Sequence, residues 1–273
     1  ASDVYKRQLL VLLDKCSVLY NLAGQTSHMD SMNDPFTDLS INASAQLSIL
    51  ETCRQVAKQV RIVYASTRQI YGRPHYLPAD ESHPLQPVDV NGINKLAGES
   101  YHLLYSGVYD INATVLRLTN TYGPRMRIKD ARQTFLGVWI RNLLQCQPFE
   151  VWGGEQLRDY TYVDDCVSAM QMAADANHAV GEIYNLGGVG PAVSLLETAE
   201  ILVEAARDLG LPLAKSPFIV REYPENRKKI DIGNYYADDR KIREELKWSP
   251  KVSLHEGLRR TLAYYATELE HYL

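Results

Sequence analysis

The chain has 273 residues, 45% of them hydrophobic, with 29 Lys and Arg against 33 Asp and Glu. That is the composition of a globular protein with room for one large or two small cores. A net charge of −4 offers no basic field for nucleic acid or an anionic membrane, and no apolar run reaches the roughly 18–20 residues that span a bilayer.

Residues 3–8 have the form of a translated sequencing adapter and are set aside from fold reasoning. Residues 9–13 read as the end of a helix. Residues 17–24 have a buried-strand pattern closing on small residues, Leu22-Ala23-Gly24. Residues 34–58 predict a helix with a mixed stripe of Ile41, Ala45, Leu47, Ser48 and Leu50. The next strand, 61–66, ends in Ser66-Thr67 and a turn through Tyr71-Gly72. A proline-rich loop leads to residues 91–108. There Ile93, Leu96, Ala97, Tyr101, Leu104 and Val108 recur at three- and four-residue steps, the stripe of an amphipathic helix. Residues 112–120 predict a strand, 121–125 a turn, 134–145 an apolar helix and 149–152 a short strand broken by Gly153-Gly154. A helix over 166–176 with an Asp as N-cap follows, then a strand over 182–186. Ser194 with Glu197 and Ser253 with Glu256 predict capping boxes for helices ending near Leu209 and Leu269. Strands alternating with helices at this spacing need crossover connections, so the sheet should be parallel and covered on both faces. The four cysteines, Cys16, Cys53, Cys146 and Cys166, form no CxxC pair. They predict neither a metal centre nor a disulfide framework, and they fit a reducing cytoplasm.

A strand ending in Ser66-Thr67, a loop, and a helix carrying Lys95 resembles the core of the extended short-chain dehydrogenases/reductases. That superfamily includes the NAD-dependent nucleotide-sugar epimerases and dehydratases, and the likeness here is to the UDP-glucose 4-epimerase kind. It runs from about Ser17 to the C-terminus. It implies an α/β, Rossmann-like doubly wound parallel sheet with a smaller α/β substrate-binding part. The cofactor part would be 9–125 completed by 160–190, and the substrate part 126–159 with 191–273. No GxGxxG or GxxGxxG turn is present, so the expectation is a chain lacking its first cofactor-binding portion, prone to aggregate and weak in NAD binding.

By the same resemblance NAD would be held by Leu22, Ala23, Gly24, Asn42, Ala65, Ser66, Lys95 and Leu118. Thr67 would hydrogen-bond the reacting oxygen. Asn120, Arg158, Arg227 and Lys228 would face a nucleotide-diphosphate sugar, a guanidinium fork being suited to a diphosphate. The catalytic set would be Thr67, Lys95 and Asn91. Asn91 stands where the family carries Tyr, and an amide does not titrate. Tyr71 and Tyr76 are candidate substitutes. The family's dehydratases carry Asp-Glu where this chain has Arg68-Gln69, which disfavours elimination of water. Other readings of the same residues remain open. Lys95 could pair with Glu99 on the helix surface, Ser66 and Thr67 could bond their own turn, and Asn91 could begin the helix. The function expected is a nucleotide-sugar epimerase. The alternatives are a dehydratase or reductase of the same family, or a non-catalytic binder of NAD or a nucleotide sugar. A homodimer is expected through helices 34–58 and 91–108.

Overall fold

Ten strands occur among the residues that the computed structural model describes, 11–13, 16–56, 59–130 and 134–273. They are β1 (Val18–Asn21), β2 (Arg61–Thr67), β3 (Ala113–Leu118), β4 (Asn120–Tyr122), β5 (Phe149–Trp152), β6 (Leu157–Arg158), β7 (Tyr160–Tyr162), β8 (Ile183–Asn185), β9 (Val193–Ser194) and β10 (Phe218–Arg221). The central sheet is parallel, in the order β1-β2-β3-β8, with Tyr64 opposite both Asn21 and Val115. The strand segments expected from the sequence are therefore neighbours, as the α/β pattern requires.

Alternation along β2 feeds two cores. Ile62 packs with Leu50, Cys53, Tyr105 and Ile111, under the helices Ala45–Val56 and Val90–Tyr109. Val63 and Ala65 point to the opposite face, against Cys166, Ala169 and Tyr184 under the helix Val163–Asp175. Successive side chains of a strand leave on opposite faces, so a central strand covered on both sides reads as an unbroken apolar run. A separate core gathers Tyr122, Trp139, Phe149, Leu202 and Leu258. It is built by the helices Phe135–Leu144, Leu195–Asp208 and Leu254–Glu268 with the parallel pair β5 and β10.

Several local expectations change. The helix expected over 34–58 is the short helix Pro35–Leu39, a π-helical turn Ser40–Ser44, and Ala45–Val56; residues 57 and 58 lie outside the described residues, as do 3–8 and the first two of 9–13. The wide turn buries Asn42 and Ala43, and such turns recur at functional sites. The helix Val90–Tyr109 is capped by Asp89, whose carboxylate accepts from Gly92 N at 2.6 Å, so Asn91 is inside the helix and not its cap. Its apolar stripe is divided: Leu96 and Tyr101 pack against cores, Ile93, Leu104 and Val108 are all more than half exposed, and Asn91, Asn94, Lys95, Glu99 and His102 are buried. Periodicity marks a stripe without saying which partner it meets, and here much of the inward face is polar and held by specific hydrogen bonds, with Tyr105 among the apolar residues beside it. The helix expected to start at Cys166 starts at Val163 with no side-chain cap; Asp165 instead accepts from Val252 N at 3.0 Å. The Ser194–Glu197 capping box is reciprocal, whereas Glu256 turns to Arg259 and Arg260. The strand β10 and the helix Arg240–Leu246 carried no sequence signal.

Candidate functional site

Lys95 lies at the C-terminal ends of β1 and β2, where open α/β sheets hold their ligands. Its ammonium is buried and donates to the Ala65 carbonyl at 2.9 Å. It also sits 5.0 Å from the Tyr64 ring centroid. Burial pushes its pKa down to about 8, against the opposing field of Asp38. Glu99 is not its partner. Lys95 leans toward the strand ends, and Glu99 reaches inward to Arg117 and Ser66.

Gly24 closes the loop after β1. A Cβ there would fall 2.9 Å from Lys95 Nζ and 3.1 Å from Asn42 Oδ1, so the absence of a side chain lets both polar groups come up against the loop backbone. Asn42 is fully buried and bonds the Gln25 backbone in both senses, accepting from its N–H and donating to its carbonyl, each at 3.1 Å. Leu22 and Ala23 are exposed in the same loop, and the Ala23 carbonyl accepts from Gln46.

Asn91 does not offer its amide to open space. Nδ2 donates to the Gln25 carbonyl at 2.8 Å and to Asp38 Oδ2 at 3.2 Å. Asn94 donates to the other oxygen of Asp38 at 2.8 Å. Asp38 was not anticipated from the sequence. Asn91 and Asn94, three apart on one buried helix face, are the signal that a shared acceptor stands opposite.

At the end of β2 the two hydroxyls diverge. Ser66 donates to Glu99 Oε2 at 2.6 Å, so its hydroxyl is committed inside the fold. Thr67 lies opposite Leu118, and its Oγ1 accepts from Gln69 N at 3.2 Å, which leaves its own O–H to donate elsewhere. Glu99 is held by Arg117 at 2.6 Å, both side chains 2% exposed. Arg117 also donates to the Tyr71 hydroxyl at 2.8 Å, and that hydroxyl donates to Asn185 at 2.6 Å. Burial pushes the Tyr71 pKa up to about 12. Tyr76 is half-exposed and donates to Asp80 at 2.9 Å. Of the two candidate substitutes, Tyr71 is locked in the core and Tyr76 is on the surface.

The expected substrate-side residues have separate surroundings. Asn120 accepts from Arg68 at 3.0 Å and donates to the Asp159 carbonyl at 2.9 Å. Arg158 is buried, donates to the carbonyls of Leu157 and Gly233, and lies 3.6 Å from Asp231. Arg227 stacks 4.4 Å over the Trp152 ring, while Lys228 pairs with Glu225 on the exposed side. Gln69 donates to the helix-capping Asp89 at 2.9 Å. Among the described residues no cluster of three His, Cys, Asp or Glu could hold a metal ion, and no helix is long and apolar enough to cross a membrane.

The model of the NAD dependent epimerase/dehydratase family matches residues 6–187. A putative UDP-glucose 4-epimerase of Methanocaldococcus jannaschii is 32% identical over 247 residues, covering 90% of this chain and 75% of that protein. A UDP-glucuronic acid decarboxylase of Xenopus tropicalis is 30% identical, covering 93% of this chain and 58% of its own. The crystal structure of a UDP-glucose 4-epimerase of Thermotoga maritima with UDP-glucose superposes with a TM-score of 0.86 at 26% identity, covering 97% of this chain and 82% of that one.

Proposed function

Because the chain belongs to the NAD dependent epimerase/dehydratase family, we propose that it is a nucleotide-sugar epimerase of the UDP-hexose 4-epimerase kind. NAD, when bound, supplies a hydride acceptor that oxidises a ring hydroxyl and returns the hydride to the resulting ketone. The loop at Gly24, where Lys95 and Asn42 meet the backbone, would take the ribose and nicotinamide end of such a cofactor, with Leu22, Ala23, Ala65 and Leu118 around it. Ser66 has its hydroxyl on Glu99 and could add only backbone. Residues 9–125 with 160–190 would form this cofactor part. Asn120, Arg158 and Arg227, on the substrate part and its border, would meet the diphosphate. Lys228, turned outward, supports that role least.

The observation that carries the reading is the buried ammonium of Lys95 on the Ala65 carbonyl, two residues before Thr67 at the end of β2. The free Thr67 O–H orients the substrate oxygen. With Asn91 unable to titrate, the hydroxyl proton goes to Lys95, whose burial keeps part of it as the neutral amine near pH 8. Gln69, spent on Asp89, and the cationic Arg68 supply no acid/base pair for elimination. Asn91 favours a second reading, a binder without turnover. The test is incubation with UDP-glucose and NAD in large excess, because weak cofactor binding is expected, read as formation of the C4 epimer by NMR. Conversion is expected, and Lys95→Met should lower it by about 10²–10⁴ with no loss of thermal stability. Binding of both ligands with no exchange or epimer would favour the second reading.

The outward stripe of Ile93, Leu104 and Val108 supports association of two copies through this helix and Ala45–Val56.

A further inference from the structure

Arg68 follows Thr67 directly and sits among groups that leave it unsatisfied. Nη2 donates to Asn120 at 3.0 Å, but Nη1 is buried with no acceptor among the described residues. The flat face of the guanidinium rests 5.5 Å from the Tyr235 ring centroid. The carboxylates around it are used elsewhere. Asp159 accepts from the Thr119 hydroxyl with one oxygen and from Ala237 N at 2.9 Å with the other. Asp231 takes Gly233 N at 2.6 Å and the Tyr223 hydroxyl at 2.5 Å, with Arg158 at 3.6 Å. Among the described residues Arg68 therefore forms no ion pair, and a second guanidinium, Arg158, repels it. Both effects of burial and like charge push its pKa down to about 10.

A buried N–H without an acceptor costs free energy unless a ligand fills it, and a rigid planar donor pair is matched by a planar oxyanion. Arg158 is already assigned to the diphosphate, whereas Arg68 adjoins the residue assigned to the reacting sugar oxygen. Resting on the reading of the protein as a nucleotide-sugar enzyme, we infer that Arg68 binds a carboxylate on the sugar ring, so that the preferred substrates are nucleotide-linked uronic acids.

The test is calorimetry of the whole chain with NAD present, using UDP, UDP-glucose and UDP-glucuronic acid, which differ in turn by the sugar and by its carboxylate. The wild type should bind the uronate about tenfold tighter than the glucose compound, a charged hydrogen bond's effect. Arg68→Gln should abolish that ratio and leave UDP and UDP-glucose binding unchanged. Arg68→Lys keeps the charge without the planar donor pair; it should lose most of the ratio, and serves if the glutamine variant does not fold. Equal weakening of all three ligands in Arg68→Gln would assign the guanidinium to the nucleotide phosphates and overturn the proposal. So would a wild type that binds UDP-glucose and the uronate alike, an outcome that leaves the nucleotide-sugar reading standing. A wild type that binds none of the three overturns both.

Discussion

Asn91 Nδ2 lies 3.2 Å from Asp38 Oδ2, so the amide at the position expected to carry a phenol is turned onto a buried carboxylate. The same carboxylate holds up the pKa of Lys95 against burial. If Lys95 accepts the proton, activity should rise as pH passes upward through about 8. Asp38→Asn removes the negative charge that favours the ammonium, so the rising limb of kcat/KM should move to lower pH. Rate profiles of the two proteins check this, and an unmoved limb would exclude Lys95 as the acceptor.

The Glu99–Arg117 pair is fully enclosed, with its closest oxygen and nitrogen 2.6 Å apart. Glu99→Ala should cost about 3–5 kcal/mol, because it leaves a guanidinium buried and uncompensated. Replacing both by Met should recover most of that loss, since desolvation of the charges disappears together with their attraction. Urea denaturation of the single and double variants measures it.

His102 is buried and stacked 4.1 Å from Tyr64, with Nδ1–H donating to the Gly98 carbonyl and Nε2 accepting from Asn21. Burial pushes its pKa down to about 4 from 6.5. The unfolded chain takes up the proton as pH falls below 6.5, while the folded chain resists until about 4. Stability should therefore be full above that window and fall through it as pH drops, by about 3 kcal/mol in all. His102→Gln should flatten this part of the curve of unfolding free energy against pH.

Leu104 and Val108 expose apolar surface on the outer face of the helix Val90–Tyr109. Leu104→Glu with Val108→Glu should convert a dimer into a monomer by light scattering at micromolar concentration, leaving the helical signal in circular dichroism unchanged. A wild type that scatters as a monomer would remove the basis for the pairing.

The central strands were legible because β2 and β3 are buried on both faces, which writes a continuous apolar run into the chain. Lys95 and Thr67 were legible because the motif places them at one end of those strands. The orientation of the helix after them was not. Its apolar stripe is real but Ile93, Leu104 and Val108 face outward, and the polar residues that face inward carry no periodic signature. Glu99 shows the same limit. Its four-residue spacing from Lys95 suggests a surface pair, yet its partner Arg117 comes from β3, a contact set by tertiary packing. Asp38 escaped notice because the π-helical turn after it shifts which residues of 34–58 face inward, and no fixed helical period can anticipate that.

The Gln25 carbonyl accepts from two asparagines that belong to different helices, Asn42 at 3.1 Å and Asn91 at 2.8 Å. The loop after β1 is thus clamped before any ligand arrives, and a dinucleotide settling on it would not have to freeze it. Preorganisation of this kind also changes what position 91 is for. The asparagine there is a fastener between loop and helix as well as a missing acid. Asn91→Tyr would therefore not simply supply a phenol; it would release one of the two ties on the Gln25 carbonyl and leave Asp38 with one amide in place of two.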